Sequence, residues 1–324
     1  MRFRIAALVA VLLVIAGCSA PSSSASVAEP APVEGFPVTI EHALGTTTIT
    51  APPTRIVALS FEEDVLSQVG VAVVGRTENY YAPGALQPWQ EGHVDPRVVA
   101  LGGPDGLDLE KVAALAPDLI LATNHYELDS VYEGLSAIAP TVGYRTGWGE
   151  ATWQDTARVI GRAVGKEAEV EQRIREVDGS VAALAAELPG LSGKTFSSVF
   201  YHDAGQFTVD TNPEGHTAKL LGQLGMVMSP RIVADVVNRS VGAEQMGLID
   251  ADLVRLGYAS DQLRTQLAAS PLFHALPAVR DGRVFESDVF GATAGNNPTL
   301  LNVPWQLEQQ RAVLERVAAS LGAP

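Results

Sequence analysis

Lys166 to Leu188 reads KEAEVEQRIREVDGSVAALAAEL, and this stretch decides the fold. Ile174, Val177, Val181, Leu184 and Leu188 recur at steps of three and four with charges between them. That spacing predicts one long amphipathic helix with a single apolar face. Twenty-three helical residues reach roughly 34 Å, about the width of a small domain. Pro189-Gly190 ends it.

The chain on either side of this helix reads as alternating strands and helices. Upstream, Val38–Ile40 and Thr46–Ile49 alternate around Gly45 as a hairpin, which Pro52-Pro53 closes. Apolar strands are predicted at Ile56–Leu59, Val98–Leu101, Leu119–Ala122 and Thr141–Tyr144. A helix over Asp108–Ala116, stopped by Pro117, lies among them. Downstream, Thr195–Tyr201 opens a second round, and a helix from Pro304 to Leu321 closes the chain. Alternation of this kind implies an α/β fold with a largely parallel sheet. A weak repeat supports two lobes: Glu110 to Ile120 aligns without gaps on Glu244 to Val254, 134 residues later. In each copy a glutamate opens a short helix and an aspartate, Asp118 or Asp252, precedes a buried strand.

With 324 residues there is room for two domains of ordinary size, and 47% apolar against 18% charged residues reads as folded. The net charge of −15, with no basic run, excludes nucleic acid as a partner. A single cysteine excludes a disulfide framework. That cysteine follows Arg2, Arg4, an apolar run of 11 residues from Ile5 to Ile15, and Ala16-Gly17. The run is too short to span a bilayer, so it reads as a secretion signal. Its end resembles a bacterial lipobox, which implies a lipid on Cys18 and a mature charge of −17 once both arginines are removed. Ser19–Gly35, rich in Ser, Ala and Pro, reads as a flexible tether.

Several chemical signatures nearly form and fail. Gly193-Lys194-Thr195 is followed by a strand, with Leu188 where a phosphate loop needs glycine. Asp210-Thr-Asn212-Pro-Glu214-Gly215 opens like a calcium loop, yet its twelfth position is Leu221. The six histidines, at 42, 93, 125, 202, 216 and 274, show no metal-ligand spacing. No nucleophile–base–orienter set points to an enzyme such as a secreted hydrolase.

From Gly45-Thr-Thr-Thr-Ile49 through Pro53-Thr-Arg-Ile-Val-Ala-Leu59, Leu109–Ile120, Ile138–Val142 and Trp153–Gly165, the chain resembles one family. This is the siderophore, haem and cobalamin group of ABC-transporter substrate-binding proteins. The resemblance implies two Rossmann-like α/β lobes joined by one long rigid helix, with the ligand in the cleft between them. The expected division is signal 1–18, tether 19–35, N-terminal lobe 36–150, interlobe helices 151–190 and C-terminal lobe 191–324. It also implies a monomer anchored to the outer face of a bacterial cell membrane, handing its ligand to an ABC permease. Family members carry a permease-docking glutamate on each lobe, here Glu110 and Glu244.

In open α/β sheets ligands sit beyond the carboxyl ends of the strands. Arg76 with Tyr80-Tyr81, Asn124-His125, Tyr144-Arg145 with Trp148, and Tyr201-His202 fall at such ends, and Tyr258 and Trp305 are candidates from the second lobe. Aromatics offer contact area at low entropy cost, and arginine grips anionic oxygens through a planar fork. The implied ligand is an anionic Fe(III)–siderophore complex, with no resident cofactor and no direct protein–metal bond. The arginine typical of hydroxamate binders is replaced here by Gly102-Gly-Pro-Asp105, and no lysine–arginine triad typical of catecholate binders is present. Haem, with His125 and Tyr201 as axial ligands from opposite lobes, and cobalamin are the alternatives within the family.

Overall fold

The computed structural model describes residues 35–103 and 106–320. Cys18, the signal and nearly all of the tether lie outside these residues, as do Pro104 and Asp105.

An N-terminal hairpin, β1 (Val38–His42) and β2 (Gly45–Ile49), turns its alternate apolar residues inward. There follow β3 (Ile56–Ala58), α1 (Glu62–Gln68), β4 (Val73–Thr77), β5 (Val99–Leu101), α2 (Leu109–Ala114), β6 (Leu119–Ala122), α3 (Leu128–Ile138) and β7 (Thr141–Gly143). These strands form one five-stranded parallel sheet in the order β5-β4-β3-β6-β7. Of its members, β4 was not anticipated from sequence.

Two helices follow, α4 (Trp153–Ala163) and α5 (Glu167–Glu187). The apolar face of α5 is buried at Val170, Ile174, Val177, Val181 and Leu184, and its solvent side carries exposed ion pairs such as Arg173–Glu176. Arg158 ties α4 to α5 through Glu171 at 2.9 Å.

Beyond the long helix come β8 (Thr195–Asp203), β9 (Gln206–Val209), α6 (His216–Gln223), β10 (Val227–Met228), α7 (Pro230–Asp235), β11 (Ser240–Gly242), β12 (Leu253–Tyr258), α8 (Asp261–Ala268), α9 (Pro271–Ala275), α10 (Pro277–Arg280), β13 (Val284–Ser287), α11 (Val289–Asn296) and α12 (Asn302–Ala319). The second sheet has the order β11-β9-β8-β12-β13, with β10 beside the start of β8. Strands β8, β10, β12 and β13 run parallel, while β9 and β11 add an antiparallel edge.

The sequence repeat has a structural counterpart. Asp118, just before β6, accepts bonds from Thr54 N at 2.8 Å, Thr54 Oγ1 at 2.7 Å and Arg55 N at 2.9 Å, at the start of β3. Asp252, just before β12, accepts from the amide and hydroxyl of Thr195, both at 2.9 Å, at the start of β8. In each lobe an aspartate thus locks the entry of one central strand to its parallel neighbour, satisfying backbone donors that no ladder reaches.

Candidate functional site

Two cavities adjoin one another at the carboxyl ends of the two sheets. The first, about 600 Å³, is lined by Phe61, Tyr80, Leu101, Asn124, His125, Tyr126, Trp148 and Asn297 among others. The second, about 440 Å³, is lined by Tyr81, Ser198, Phe200, His202, Asp210, Arg239, Arg255 and Asn296 among others. Two dipeptides belong to both: Tyr80 faces the first and Tyr81 the second, while Asn297 faces the first and Asn296 the second. Consecutive residues thus border neighbouring cavities, each of the size usual for small-molecule sites.

The wall of the first cavity is built on a buried carboxylate. Glu62 accepts from Leu59 N (3.0 Å), Ser60 N (2.8 Å), Ser60 Oγ (2.5 Å), Thr123 N (2.6 Å) and Thr123 Oγ1 (2.7 Å). It thereby fixes the loops leaving β3 and β6, which carry Phe61 and Asn124. Asn124 then bonds Asn297 of the second lobe at 3.3 Å and Gly149 N at 3.0 Å. Phe61 is held at φ 70°, a left-handed conformation rare for an aromatic residue, and its amide donates to Thr77 Oγ1 at 2.7 Å. Strain of this kind survives only where its surroundings impose it.

The exposed aromatics of the cleft are paired. Tyr80 and Tyr81 meet edge to face at 5.2 Å, Tyr126 meets Trp148 at 6.4 Å, and His125 stacks on Tyr126 at 6.2 Å. Burial lowers the pKa of His125, and its Nδ1 accepts from Glu127 N. The first cavity also carries Glu78 and Glu127 and, among the described residues, no arginine or lysine.

Of the residues anticipated from sequence, Tyr80, Asn124, His125 and Trp148 line the first cavity and Tyr81 and His202 the second. Tyr258 and Trp305 come together in a third cavity of about 520 Å³, which borders the second at Ser287 and Gly291. The other four line none of the three. Arg76 is buried, and its guanidinium donates to the carbonyls of Thr77 (3.0 Å) and Gly84 (2.6 Å). It holds the loop that presents Tyr80 and Tyr81 rather than meeting a ligand. Tyr144 is buried, and its hydroxyl donates to Asp129, which pushes its pKa up to about 12. Tyr201 packs on Phe207 at 4.8 Å and accepts from Gly205 N at 2.7 Å, so its oxygen is turned into its own hairpin. It is not placed as a haem ligand opposite His125. Arg145 is exposed, and Asp155, one acid close to it in sequence, is bonded by Thr152 and Arg158 instead.

The second cavity contains a residue that sequence reading missed. Arg255 lies inside β12, otherwise Leu-Val-Leu-Gly-Tyr, and is 9% exposed. The available signal was a charge interrupting an apolar strand. Its Nε donates to Gln310 Oε1 at 2.9 Å and its Nη1 to Thr217 Oγ1 at 3.0 Å. Gly257, two residues on along β12, leaves room for Phe200: a Cβ there would lie 2.8 Å from that ring.

Glu110 and Glu244 are both exposed, each in the first turn of a short helix. Among the described residues no group of three or more His, Cys, Asp or Glu is arranged to hold a metal ion, and no helix is long and apolar enough to cross a membrane.

A model of the periplasmic binding protein family matches residues 64–289. The chain is 25% identical over 282 residues to the Fe(3+)-citrate-binding protein YfmC of Bacillus subtilis, covering 85% of each. It is 26% identical over 294 residues to the ferric-anguibactin-binding protein FatB of Vibrio anguillarum, covering 86% of this chain and 87% of that one. Among solved structures, a periplasmic solute binding protein from Mycobacterium smegmatis superposes with a TM-score of 0.74 at 30% identity, covering 87% of this chain and 99% of that one.

Proposed function

The chain belongs to the periplasmic binding protein family, and on that premise we propose that it is the extracytoplasmic binding component of an ABC importer for a ferric siderophore. The carrying observation is the pair of neighbouring cavities, read as one two-part cleft whose halves share the Tyr80-Tyr81 and Asn296-Asn297 dipeptides. An aromatic half and a cationic half suit one ligand of mixed character, an iron chelate with an organic shell and anionic oxygens. The names of the iron-chelate-binding relatives support the same reading. The iron is cargo and stays within its chelator. A lipid on Cys18 would hold the body at the outer face of the membrane, and Glu110 and Glu244 would present its two lobes to the permease.

Four tryptophans, with Trp148 in the first cavity, give a direct readout. Titration of the purified protein with ferric dicitrate, ferrichrome, a ferric catecholate, haem and cyanocobalamin should give saturable quenching with at least one iron chelate. Saturation by haem or cobalamin alone would replace this reading.

A further inference from the structure

The strongest unexplained group in the cleft is the guanidinium of Arg255. Two of its three nitrogens are fixed by neutral partners, Gln310 and Thr217, while Nη2 has none among the described residues. Asp210 lines the same cavity and adds a favourable field, yet no ion pair to Arg255 forms. A buried charge without a counter-charge is strongly unfavourable. Burial accordingly lowers its pKa to about 10, which leaves it charged at neutral pH. Arg239 adds a second, exposed cation on the same cavity, whereas the first cavity is lined by Glu78 and Glu127. The two halves of the cleft therefore differ in sign.

We propose that Arg255 is the anion-recognising residue of the cleft, receiving a carboxylate-bearing edge of the ligand through its unpaired nitrogen. The orientation follows: the anionic edge enters the half lined by β8 and β12, and the organic shell lies against Tyr80 and Trp148. The selected substrate class is a polycarboxylate ferric chelate in preference to a neutral trihydroxamate. This inference rests on the binding function proposed above and adds the ligand's charge to it.

The test compares wild type, Arg255→Gln and Arg255→Lys against ferric dicitrate, ferrichrome and iron-free citrate, by calorimetry at two salt concentrations. A charge-assisted bond predicts about 10- to 100-fold weaker ferric dicitrate binding in Arg255→Gln. Ferrichrome binding, where present, should change by less than about threefold, since a neutral ligand offers the guanidinium no counter-charge. Arg255→Lys keeps the charge without the fork and should fall between. Equal loss for both chelates would make Arg255 a brace for Thr217 and Gln310 and overturn the proposal. So would a wild type that binds ferrichrome more tightly than dicitrate, an outcome that leaves the siderophore function standing. Arg255-dependent binding of citrate, with no iron chelate bound here or in the fluorescence titration, would do the reverse, upholding the anion site and removing the siderophore reading. A wild type that binds none of the three overturns the anion-site proposal, and the siderophore reading is then decided by the ferric catecholate of the fluorescence titration.

Discussion

The carboxylate of Asp64 accepts a hydrogen bond from Thr299 Oγ1 at 2.6 Å, joining residues 235 positions apart in different lobes. Trp89 Nε1 (2.8 Å) and Gln90 Nε2 (2.7 Å) donate to the same group. Around it Trp89 meets Trp305 at 5.3 Å and Phe61 at 6.3 Å, an apolar seam between the lobes. Asp64 is fully buried, and burial pushes its pKa up to about 6 against the pull of its three donors. Its neighbour Glu63, also buried, is held well above the ordinary glutamate value by burial and by the Asp64 and Glu62 charges.

This fixes the sign of a pH dependence. An unfolded aspartate titrates near 3.9, so between about pH 4 and 6 the folded chain holds a proton at Asp64 that the unfolded chain has lost. Stability from this group is present at the acid end and falls as pH rises toward 6. Asp64→Asn carries no such charge. In urea denaturation the stability difference between variant and wild type should move in favour of the variant between pH 5 and pH 7. A difference that stays flat across that range would mean Asp64 titrates as an ordinary carboxylate.

Glu62 should be among the costliest residues to truncate. Its five donors include three backbone amides at the floor of the first cavity. Orphaned buried donors cost about 1–3 kcal/mol each, so Glu62→Ala should lose at least about 3 kcal/mol even if water replaces part of the carboxylate. Glu62→Gln keeps one acceptor and should lose less. Equilibrium unfolding of both variants gives the comparison, and an Ala variant within about 1 kcal/mol of wild type would contradict it.

Gly190 ends the turn after α5 where the backbone of α12 passes. A Cβ at that position would lie 2.1 Å from the carbonyl oxygen of Ala318. Because the obstacle is backbone, neither element can yield by a rotamer change. Gly190→Ala should therefore cost about 1–3 kcal/mol, seen as a lower Tm. Gly179, on the exposed side of α5 with nothing near its Cβ position, is the control: alanine there should stabilise by up to about 1 kcal/mol.

What sequence revealed and what it hid differ by range. The face of α5 was legible because Ile174, Val177, Val181 and Leu184 obey a local period, and the paired lobes were legible in the repeat around Asp118 and Asp252. Strand β4, Val-Val-Gly-Arg-Thr, was not, because Arg76 breaks its apolar run and resembles a ligand-binding residue at a strand end. Its real partners, the Thr77 and Gly84 carbonyls, depend on how the following loop folds back. Arg255 was hidden for the converse reason. Its neighbours make β12 read as pure core, and Thr217 and Gln310 reach it from 38 and 55 residues away. Periodicity reports which face a residue takes, not which distant side chain meets it.

The last expectation concerns delivery. Glu110 and Glu244 occupy equivalent places, each opening the short helix that leads to Asp118 or Asp252 and so to a central strand. Those aspartates lock their strands to β3 and β8, so each glutamate is referenced to the frame of its own lobe. Two exposed carboxylates on rigid lobes can report the separation of the lobes to a partner bearing arginines, setting orientation and encounter rate more than affinity. Neither lines any of the three cavities, so their loss should leave chelate binding alone. Glu110→Ala with Glu244→Ala should keep ligand affinity within about twofold yet reduce uptake in cells that depend on this protein, each single variant losing less. Charge reversal to lysine should lower uptake further than alanine, which separates electrostatic docking from mere contact. Uptake at the wild-type rate in the double alanine variant, with the protein present at normal level, would remove these residues from the permease interface.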